Sequence, residues 1–388
     1  MAKMYTIIAT AAMGIEGIVS KELKDLGYTN VIVENGRCKL QGTAKDIAIL
    51  NMWLRTADRI KIEIGSFKAY TFDELFEKTK KLPWDEYISE NGQFPVQGKS
   101  VKSKLFSVSD CQAITKKAIV ESLRSRRKIQ GTIEETGPLY KIEVSLLKDT
   151  ATLTLDTSGA GLHKRGYRVG QGDAPLKETL AAALILLTNW RGNWPFMDPF
   201  CGSGTIPIEA ACIAQNIAPG FNREFVSEDW PWIPKEIWDE VRDEAEEKAN
   251  YDKEIQISGF DHDARMIEIA KRNALEAGLG DLITFKQMRV QDLYEKRGYG
   301  TVVTNPPYGE RLSERPQVEI LYKELGQVFQ RETLNTWSLY ILTSHEDFET
   351  FFGKKATKKR KLFNGFIRTD LYQYYGPKPK KSEGERNQ

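Results

Sequence analysis

Alternating apolar and polar positions predict two small α/β units in the first part of the chain. Residues 1–44 contain, in order, a strand over 5–9, a helix over 14–26 and a hairpin around Asn35-Gly36. Residues 45–156 open on a helix over 44–53 and close on two strands, over 140–147 and 151–156. The first of these units shows no evident chemistry of its own.

A different pattern begins after residue 156. Residues 157–175 are rich in glycine and in basic residues, which is typical of a linker. From residue 176 onward, short apolar runs alternate with segments of helical periodicity. The pattern predicts strands over 196–198, 255–261, 283–285, 299–304 and 337–343, and helices over 176–187, 205–214, 317–331 and directly after Asp261. Alternation at this spacing predicts an α/β fold with a doubly wound, mostly parallel sheet.

Length and composition limit the class of protein. A chain of 388 residues is too long for one ordinary core, so we expect two or three domains. Its 40% hydrophobic and 28% charged residues are typical of a soluble globular protein, and no apolar run approaches the ~20 residues of a membrane span. The first residues are too few and too strand-like for a signal peptide. We therefore expect a cytoplasmic protein.

Cysteine, histidine and net charge add two expectations. The four cysteines form no CxxC pair and the three histidines lie far apart, which predicts reduced thiols and no metal site. The formal net charge is only +2, so any argument for nucleic-acid binding has to come from local clusters of charge.

The apolar run from Tyr299 to Thr304 ends at Asn305-Pro306-Pro307-Tyr308, and this motif is the strongest candidate for catalysis. The strand should deliver Asn305 and Tyr308 to its carboxyl edge, where ligands bind in open α/β sheets. The Asn305 amide oxygen and the Pro306 carbonyl accept hydrogen bonds, and Tyr308 offers a flat aromatic face. Together they suit a planar group that carries an NH2. A plain Asn-Pro turn is the alternative.

Two acids and two glycines predict a cofactor site. Asp198 ends one strand, and Gly202 and Gly204 then turn the chain into a helix, where a ligand can approach the backbone closely. Asp261 ends the next strand and is a candidate for binding the two hydroxyls of a ribose. A helix N-cap is the alternative role for Asp261. A nicotinamide site is disfavoured because a full Gly-x-Gly-x-x-Gly is absent from the sequence.

A basic stretch in the second unit predicts contacts with phosphate. Residues 97–128 contain nine basic residues and two acidic ones. A solvated face is the usual explanation of such a run. The candidate phosphate-binding residues in it are Lys99, Lys102, Lys104, Lys116, Lys117 and Arg127.

These motifs, in this order, resemble those of the class I S-adenosylmethionine-dependent methyltransferases. Asp198-Pro199-Phe200-Cys201-Gly202-Ser203-Gly204 resembles their first motif, Asp261 their ribose-binding acid, and Asn305-Pro306-Pro307-Tyr308 the catalytic motif of enzymes that methylate exocyclic or amide nitrogens. The stretches 158–168, 175–183 and 309–311 are similar to those of the bacterial guanine-N2 methyltransferases of large-subunit ribosomal RNA.

The resemblance extends along nearly the whole chain and implies a domain plan. It implies a ferredoxin-like segment (1–44), a THUMP RNA-binding domain (45–156) and, after the linker, a Rossmann-like methyltransferase domain (176–388) with a basic tail over 354–361. It also implies S-adenosylmethionine as cofactor, with Asp198, Gly202, Gly204 and Asp261 binding it. The family's second, fused methyltransferase domain has no counterpart in this sequence.

Several assignments stay open at the level of sequence. The family often has an acid beside the adenine. Arg289 occupies the position that aligns with that acid, and we assign the role to Asp292, three residues later. Arg311, after the catalytic motif, is a further candidate for contact with an RNA phosphate, and pairing with an acid within the fold is the alternative. Transfer RNA guanine-N2 methylation, adenine-N6 methylation and a catalytically silent ribosome-assembly factor are the alternative functions.

Overall fold

Two seven-stranded sheets organise the residues that the computed structural model describes, which are 3–171, 175–309 and 315–377. Each sheet belongs to one of two compact units. The first unit comprises Val19–Leu162 and Pro219–Glu247 together with the N-terminal strand, and the second comprises Met13–Ile18, His163–Ala218 and the chain from Lys248 onward. Across the described residues, no helix is long and apolar enough to cross a membrane.

The first sheet is mostly antiparallel, with strands in the order β2-β3-β1-β4-β7-β6-β5. Only its outermost pair, β5 and β6, runs parallel. Apolar residues alternate along its strands, so that Ile142, Val144 and Leu146 of β6 are all buried. The elements of this part of the chain are β1 (Tyr5–Thr10), α1 (Glu16–Asp25), β2 (Ile32–Glu34), β3 (Arg37–Gly42), α2 (Ala44–Trp53), β4 (Arg59–Lys68), α3 (Phe72–Lys80), β5 (Val96–Val101), α4 (Val108–Arg127), β6 (Lys141–Leu147) and β7 (Thr150–Asp156).

A segment from later in the chain completes the first unit. Residues 219–247, which the predicted division placed with the C-terminal region, pack there through two tryptophans. Trp230 stacks on Tyr140 with ring centroids 5.0 Å apart, and its indole N–H donates to the Leu139 carbonyl at 3.0 Å. The Trp232 indole N–H donates to the Tyr87 carbonyl at 2.9 Å. Burial of the Trp230 ring, together with the hydrogen bond of the half-buried Trp232, explains why the segment belongs to this core.

The second sheet has the order β10-β9-β8-β11-β12-β14-β13. Its first five strands are parallel, and the last two run antiparallel as a hairpin. This confirms the predicted doubly wound, mostly parallel sheet. The elements of this part of the chain are α5 (Glu178–Leu186), β8 (Phe196–Asp198), α6 (Thr205–Ala214), α7 (Lys235–Lys248), β9 (Ile257–Asp261), α8 (Ala264–Glu276), β10 (Ile283–Gln287), β11 (Thr301–Thr304), α9 (Arg315–Phe329), β12 (Ser338–Thr343), α10 (Phe348–Phe352), β13 (Lys358–Asn364) and β14 (Ile367–Tyr374). Of these, α7 belongs to the first unit up to Glu247.

Strand order reverses between β8 and β11. From β8 the chain proceeds outward through β9 to β10, whereas β11 leads outward to β12 on the other side. In open α/β sheets, ligands bind in the crevice outside the carboxyl ends of the strands at such a switch point. Asp198 ends β8 and Asn305 directly follows β11, so the fold brings the two predicted motifs to this crevice.

The structure corrects the prediction of a basic tail. Residues 358–364 form β13, which pairs with β14 over seven residue pairs, and β14 pairs with β12. Buried Leu362, Leu371 and Tyr374 explain this, because the strands bury apolar side chains while their basic residues face outward or lie at the edge.

The predicted linker, residues 157–175, is built into the two cores. In the first unit, the Ser158 hydroxyl donates to the Asn51 amide oxygen at 2.6 Å. In the second unit, Arg165 forms a buried ion pair with Glu209, at 3.3 Å. The glycines of the stretch serve tight turns, since Gly166 has a φ of +105°. Residues 172–174 lie outside the described residues.

Candidate active site

Asp198 is buried at the switch point and is bonded to the neighbouring strand. The Thr304 hydroxyl, at the end of β11, donates to the Asp198 carboxylate at 2.6 Å, and the Phe200 backbone N–H donates to the same oxygen at 3.1 Å. Burial raises the pKa of Asp198 to about 7, against the opposing effect of these two hydrogen bonds. The negative charge of Asp261 adds to the rise. A carboxyl group in this state is poised to change charge near neutral pH.

The loop after β8 has the conformation that its glycines allow. Gly202 and Gly204 have φ of +50° and +84°, and Gly204 is the N-cap of α6. A Cβ atom on Gly204 would lie 3.0 Å from the Ala270 Cβ and 3.1 Å from the Phe285 ring. Both backbone conformation and space therefore require glycine here.

Asp261 ties this loop to the next strand. Its carboxylate accepts from the Gly202 N–H at 3.1 Å and from the Asp263 N–H at 2.9 Å. Asp263 is the N-cap of α8, and its side chain accepts from the Arg265 N–H. The alternative role of Asp261, as the helix cap itself, therefore belongs to Asp263.

Arg168, which sequence reasoning did not single out, braces the same loop. Its guanidinium donates to the Ser203 hydroxyl at 3.1 Å and to the Thr205 hydroxyl at 2.9 Å. It also pairs with the largely buried Glu178 at 2.7 Å. The only signal in the sequence was the basic composition of residues 157–175, which we interpreted as a linker.

Two cavities meet at Phe200 in the crevice. The smaller, about 200 Å³, is lined by Asp198, Gly202, Ser203, Met266 and Asn305 among others. The larger, about 580 Å³, has mainly apolar walls, lined by Pro199, Met288, Val290, Pro307, Val318 and Leu321 among others. A narrow polar cavity beside a broad apolar one fits an elongated ligand with a polar end and a flat, apolar end.

Asp292, predicted to lie beside the adenine, is exposed at the end of a short 3-10 turn over Val290–Asp292. The larger cavity is lined instead by Arg289, Val290 and Gln291 of the same turn. The structure thus brings Asp198, Gly202 and Asn305 together around one cavity, anchors Asp261 on its loop, and leaves Asp292 outside.

The Asn-Pro-Pro-Tyr motif is braced by tyrosine hydroxyls. The Tyr308 hydroxyl donates to the Asn305 amide oxygen at 2.5 Å. The Pro307 carbonyl accepts from the buried Tyr322 hydroxyl at 2.7 Å. Pro306 is buried, whereas Asn305 and Tyr308 are half-buried. The motif therefore presents an oriented amide to the smaller cavity, which a simple turn would not require.

The predicted RNA-binding residues fall into two groups. Lys99 pairs with Glu143 at 2.9 Å, Lys116 pairs with Glu135 at 2.5 Å, and Arg127 donates to the backbone carbonyls of Ser89 and Ile88. Lys116 and Arg127 therefore hold parts of the first unit together, whereas Lys99 stays exposed in a surface ion pair. The second group, exposed in the structure, consists of Lys102, Lys104 and Lys117. Arg311 lies outside the described residues.

Two lysines that the sequence analysis did not single out lie with Lys102 and Lys104 at one end of the first sheet. The Lys68 ammonium donates to the Lys148 carbonyl at 2.9 Å, and the Lys104 N–H donates to the Asp149 carboxylate at 2.6 Å. We call Lys68, Lys102, Lys104 and Lys148 the lysine edge. Tyr70 and Phe106 are exposed aromatic residues beside it in the chain. These residues come from separate strand ends, so their proximity left no signal in a local charge count.

Within residues 3–171, 175–309 and 315–377, no group of three or more His, Cys, Asp and Glu side chains could coordinate a metal ion.

Three family models match the chain. The RMKL-like methyltransferase domain matches residues 165–373, the RlmL ferredoxin-like domain residues 6–61, and the THUMP domain residues 69–156. The methyltransferase match contains both cavities and the Asn305 motif, and the THUMP match contains α4 and most of the lysine edge.

Similar proteins match over nearly their whole length. A Bacillus subtilis (strain 168) protein named "Putative RNA methyltransferase YpsC" is 63% identical over 98% of this chain and 99% of its own. A crystal structure from Listeria monocytogenes, described as a predicted N6-adenine-specific DNA methylase, is 61% identical with a TM-score of 0.92 and covers 97% of each chain. The structure of SMU.472 complexed with SAH is 52% identical with a TM-score of 0.93, covering 98% of this chain and 100% of that one.

Proposed function

This chain belongs to the RMKL-like methyltransferase family, and we propose that it methylates the exocyclic N2 of a guanine in RNA, most specifically in large-subunit ribosomal RNA. The methyl donor is S-adenosylmethionine. The observation that carries the proposal is the Asn305 amide oxygen, held by Tyr308 in the cavity that Asp198 and Gly202 also line.

The residues of the crevice fit this cofactor. Gly202 leaves open space at the backbone beside the smaller cavity, and Gly204 lets the loop pack closely against Ala270 and Phe285. Asp261 lies beside the loop as an acceptor for ribose hydroxyls, and Met288 and Val290 provide apolar walls for an adenine. When bound, S-adenosylmethionine supplies a methyl group on a positively charged sulfur and leaves as a neutral thioether. The acidic and apolar residues of the crevice suit that charge and shape.

Asn305 and Pro306 act on the amino group of the base. The lone pair of the guanine amino nitrogen is delocalised into the ring, which makes that nitrogen a poor nucleophile. The Asn305 amide oxygen has two lone pairs, so the bond from Tyr308 leaves one for a substrate N–H, and the Pro306 carbonyl accepts the second N–H. These bonds draw the nitrogen toward a tetrahedral shape and aim its lone pair. Proton loss follows methyl transfer, so a dedicated base is not required.

Positioning supplies most of the rate enhancement in this scheme. Holding two reactants in line is worth ~7–11 kcal/mol in favourable cases. Stacking of the target base on the half-buried Tyr308 ring adds ~1–3 kcal/mol. A base has to leave its helix to reach such a crevice, because the target atom is inaccessible in a duplex.

RNA as the substrate is supported by the first unit. A THUMP model matches residues 69–156, and the lysine edge there presents cations and aromatic rings suited to phosphates and bases. The Bacillus relative is also named as an RNA methyltransferase. The choice of guanine as the base and of ribosomal RNA as the substrate is supported by the resemblance of the stretches 158–168, 175–183 and 309–311 to the ribosomal RNA enzymes.

The test is to identify the modified nucleoside. The protein is incubated with methyl-labelled S-adenosylmethionine and total RNA from a strain that lacks the gene, and the RNA is digested to nucleosides for mass analysis. Label in N2-methylguanosine is the expected result, and fractionation by RNA size separates ribosomal from transfer RNA. Label in N6-methyladenosine would overturn the assignment of the base. Binding of the cofactor without any transfer would favour a silent assembly factor.

A further inference from the structure

The hairpin β13–β14 exposes a phenylalanine at its tip. Asn364 pairs with Ile367, so Gly365 and Phe366 form a two-residue loop, and Gly365 has the positive φ, +63°, that a tight hairpin turn demands. The Phe366 side chain is fully exposed. The ring is therefore fully available to a partner outside the chain.

The hairpin tip lies at the catalytic motif. The Asn364 amide donates to the Tyr308 hydroxyl at 3.4 Å, and that hydroxyl donates to the Asn305 amide oxygen at 2.5 Å. Phe366 is therefore two residues from a side chain that contacts the motif proposed to bind the target base.

Basic residues lie along both strands of the hairpin. Lys358, Lys359 and Lys361 on β13 and Arg368 on β14 are exposed. Lys359 pairs with Glu349 at 2.6 Å, and Arg368 lies 4.0 Å from Asp370. The Lys361 ammonium lies 5.9 Å from the Phe363 ring centroid. Lys361 and Arg368 therefore place positive charge on both strands near the exposed ring, where it can attract phosphates.

The arms of the hairpin are firmly packed. β14 pairs with β12 over five residue pairs, and Tyr372 and Tyr374 pack on Phe348 and Phe352 with centroids 4.7 Å apart in both cases. The Arg360 guanidinium donates to the Gly14 carbonyl at 2.7 Å. The tip is thus presented on a rigid support, which suits an element that has to push into a base stack.

We propose that Phe366 is a wedge that holds RNA open at the target nucleotide. Its ring takes the place in the stack that the target base leaves when it turns into the crevice beside Asn305 and Tyr308. Lys361 and Arg368 bind the adjoining phosphates. Apolar side chains that enter a base step in this way offset part of the cost of unstacking. This inference rests on the proposed function, since it takes an RNA base as the substrate.

The test compares Phe366→Ala with the unchanged protein on two forms of one RNA. Total RNA from the strain lacking the gene is used either folded with Mg²⁺ or heat-denatured and chilled without it. On folded RNA, kcat/KM for methyl transfer should fall about 5- to 150-fold, which is the equivalent of about 1–3 kcal/mol at ~1.4 kcal/mol per factor of ten. On denatured RNA the loss should stay below about threefold, because less stacking has to be broken.

Controls separate the wedge from other roles. Phe366→Trp should keep near-normal activity on folded RNA, and cofactor affinity, measured by calorimetry, should be unchanged in both variants. Leu275→Ala, which removes another exposed apolar side chain of the same unit, should change neither RNA assay. Equal losses on folded and denatured RNA, or no loss on either, would overturn the wedge while leaving the proposed function intact. An unchanged protein that labels neither RNA would overturn the proposed function, and the wedge with it.

Discussion

The crevice of the second sheet and the lysine edge of the first are built in opposite ways. In the crevice, Asp198 is 1% exposed and is bonded to two neighbours, and the amide of Asn305 is held by Tyr308. On the lysine edge, the side chains of Lys102 and Lys104 are exposed. The crevice is preorganised for its ligand, whereas the lysine edge offers exposed positive charge.

This difference suggests separate roles, with chemistry in the crevice and RNA affinity on the lysine edge. Buried, hydrogen-bonded groups set geometry and pKa, which is what transfer of a methyl group requires. Exposed lysines attract phosphates through charge and do so with little regard to sequence. We therefore expect substitutions in the crevice to change chemistry, and substitutions on the lysine edge to change affinity and its dependence on salt.

The largest effect should come from Asn305→Ala. Loss of the acceptor for the amino group should lower kcat for methyl transfer by about 10²–10³-fold, by analogy with removal of one preorganised hydrogen-bonding group. Cofactor affinity, measured by calorimetry, should stay nearly the same. Asn335→Ala, at an exposed asparagine of the same unit, is the matched control. A parallel fall in cofactor affinity would contradict the separation of roles within the crevice.

In the absence of cofactor, Asp198→Asn should change how the free energy of unfolding depends on pH. The pKa of Asp198 is raised to about 7 in the folded state, so the folded protein binds more protons than the unfolded one between about pH 4 and 7. The contribution of Asp198 to the free energy of unfolding is full below pH 4 and is lost as the pH rises through 7.

Urea unfolding at pH 5 and pH 8 measures this effect. From pH 5 to pH 8, the free energy of unfolding of the unchanged protein should fall by about 3 kcal/mol more than that of Asp198→Asn, at ~1.4 kcal/mol per pKa unit. The asparagine still accepts from Thr304, so the variant should fold. Equal losses in the two proteins would show that the carboxyl does not titrate in this window.

The paired change Lys102→Ala and Lys104→Ala should weaken RNA binding and leave the chemistry intact. If each lysine contacts one phosphate, the slope of log affinity against log salt should fall by about 2. Filter binding of total RNA across a salt series provides the slope. A lower kcat with an unchanged slope would place these lysines in the catalytic machinery.

Arg127→Ala should have the smallest effect. It should change stability and leave RNA binding unchanged, in contrast to the paired lysine change. Its guanidinium donates to carbonyls of the first unit, so its loss should lower the free energy of unfolding by about 1 kcal/mol. The salt slope of RNA binding should not move. If the slope of log affinity against log salt fell by about 1, as expected for one lost phosphate contact, Arg127 would be an RNA-binding residue.

The crevice was predictable from the sequence because its residues follow strands directly. Asp198, Asp261 and Asn305 each lie at the carboxyl end of a short apolar run, and parallel strands bring such ends to one edge. The lysine edge was only half predictable. Lys68 and Lys148 join Lys102 and Lys104 through pairing of strands that are distant in sequence.

The hairpin β13–β14 shows why charge patterns mislead. Lys358 to Lys361 are four consecutive basic residues, which hid a strand whose stability comes from pairing with β14 and, through it, with β12. Residues 97–128 show the converse. Their basic count was correct, yet Lys116 and Arg127 are bonded within the fold. Counting charges cannot tell a phosphate ligand from a side chain that ties down a carbonyl.

Methylation of guanine N2 in ribosomal RNA, the proposed reaction of the crevice, can be followed in cells. N2-methylguanosine is mapped by mass in fragments of large-subunit ribosomal RNA from three strains: one lacking the gene, one restored with the unchanged gene and one restored with Asn305→Ala. One fragment should lack N2-methylguanosine in the first strain, contain it in the second and lack it again in the third. The same N2-methylguanosine content in all three strains would contradict the proposed reaction.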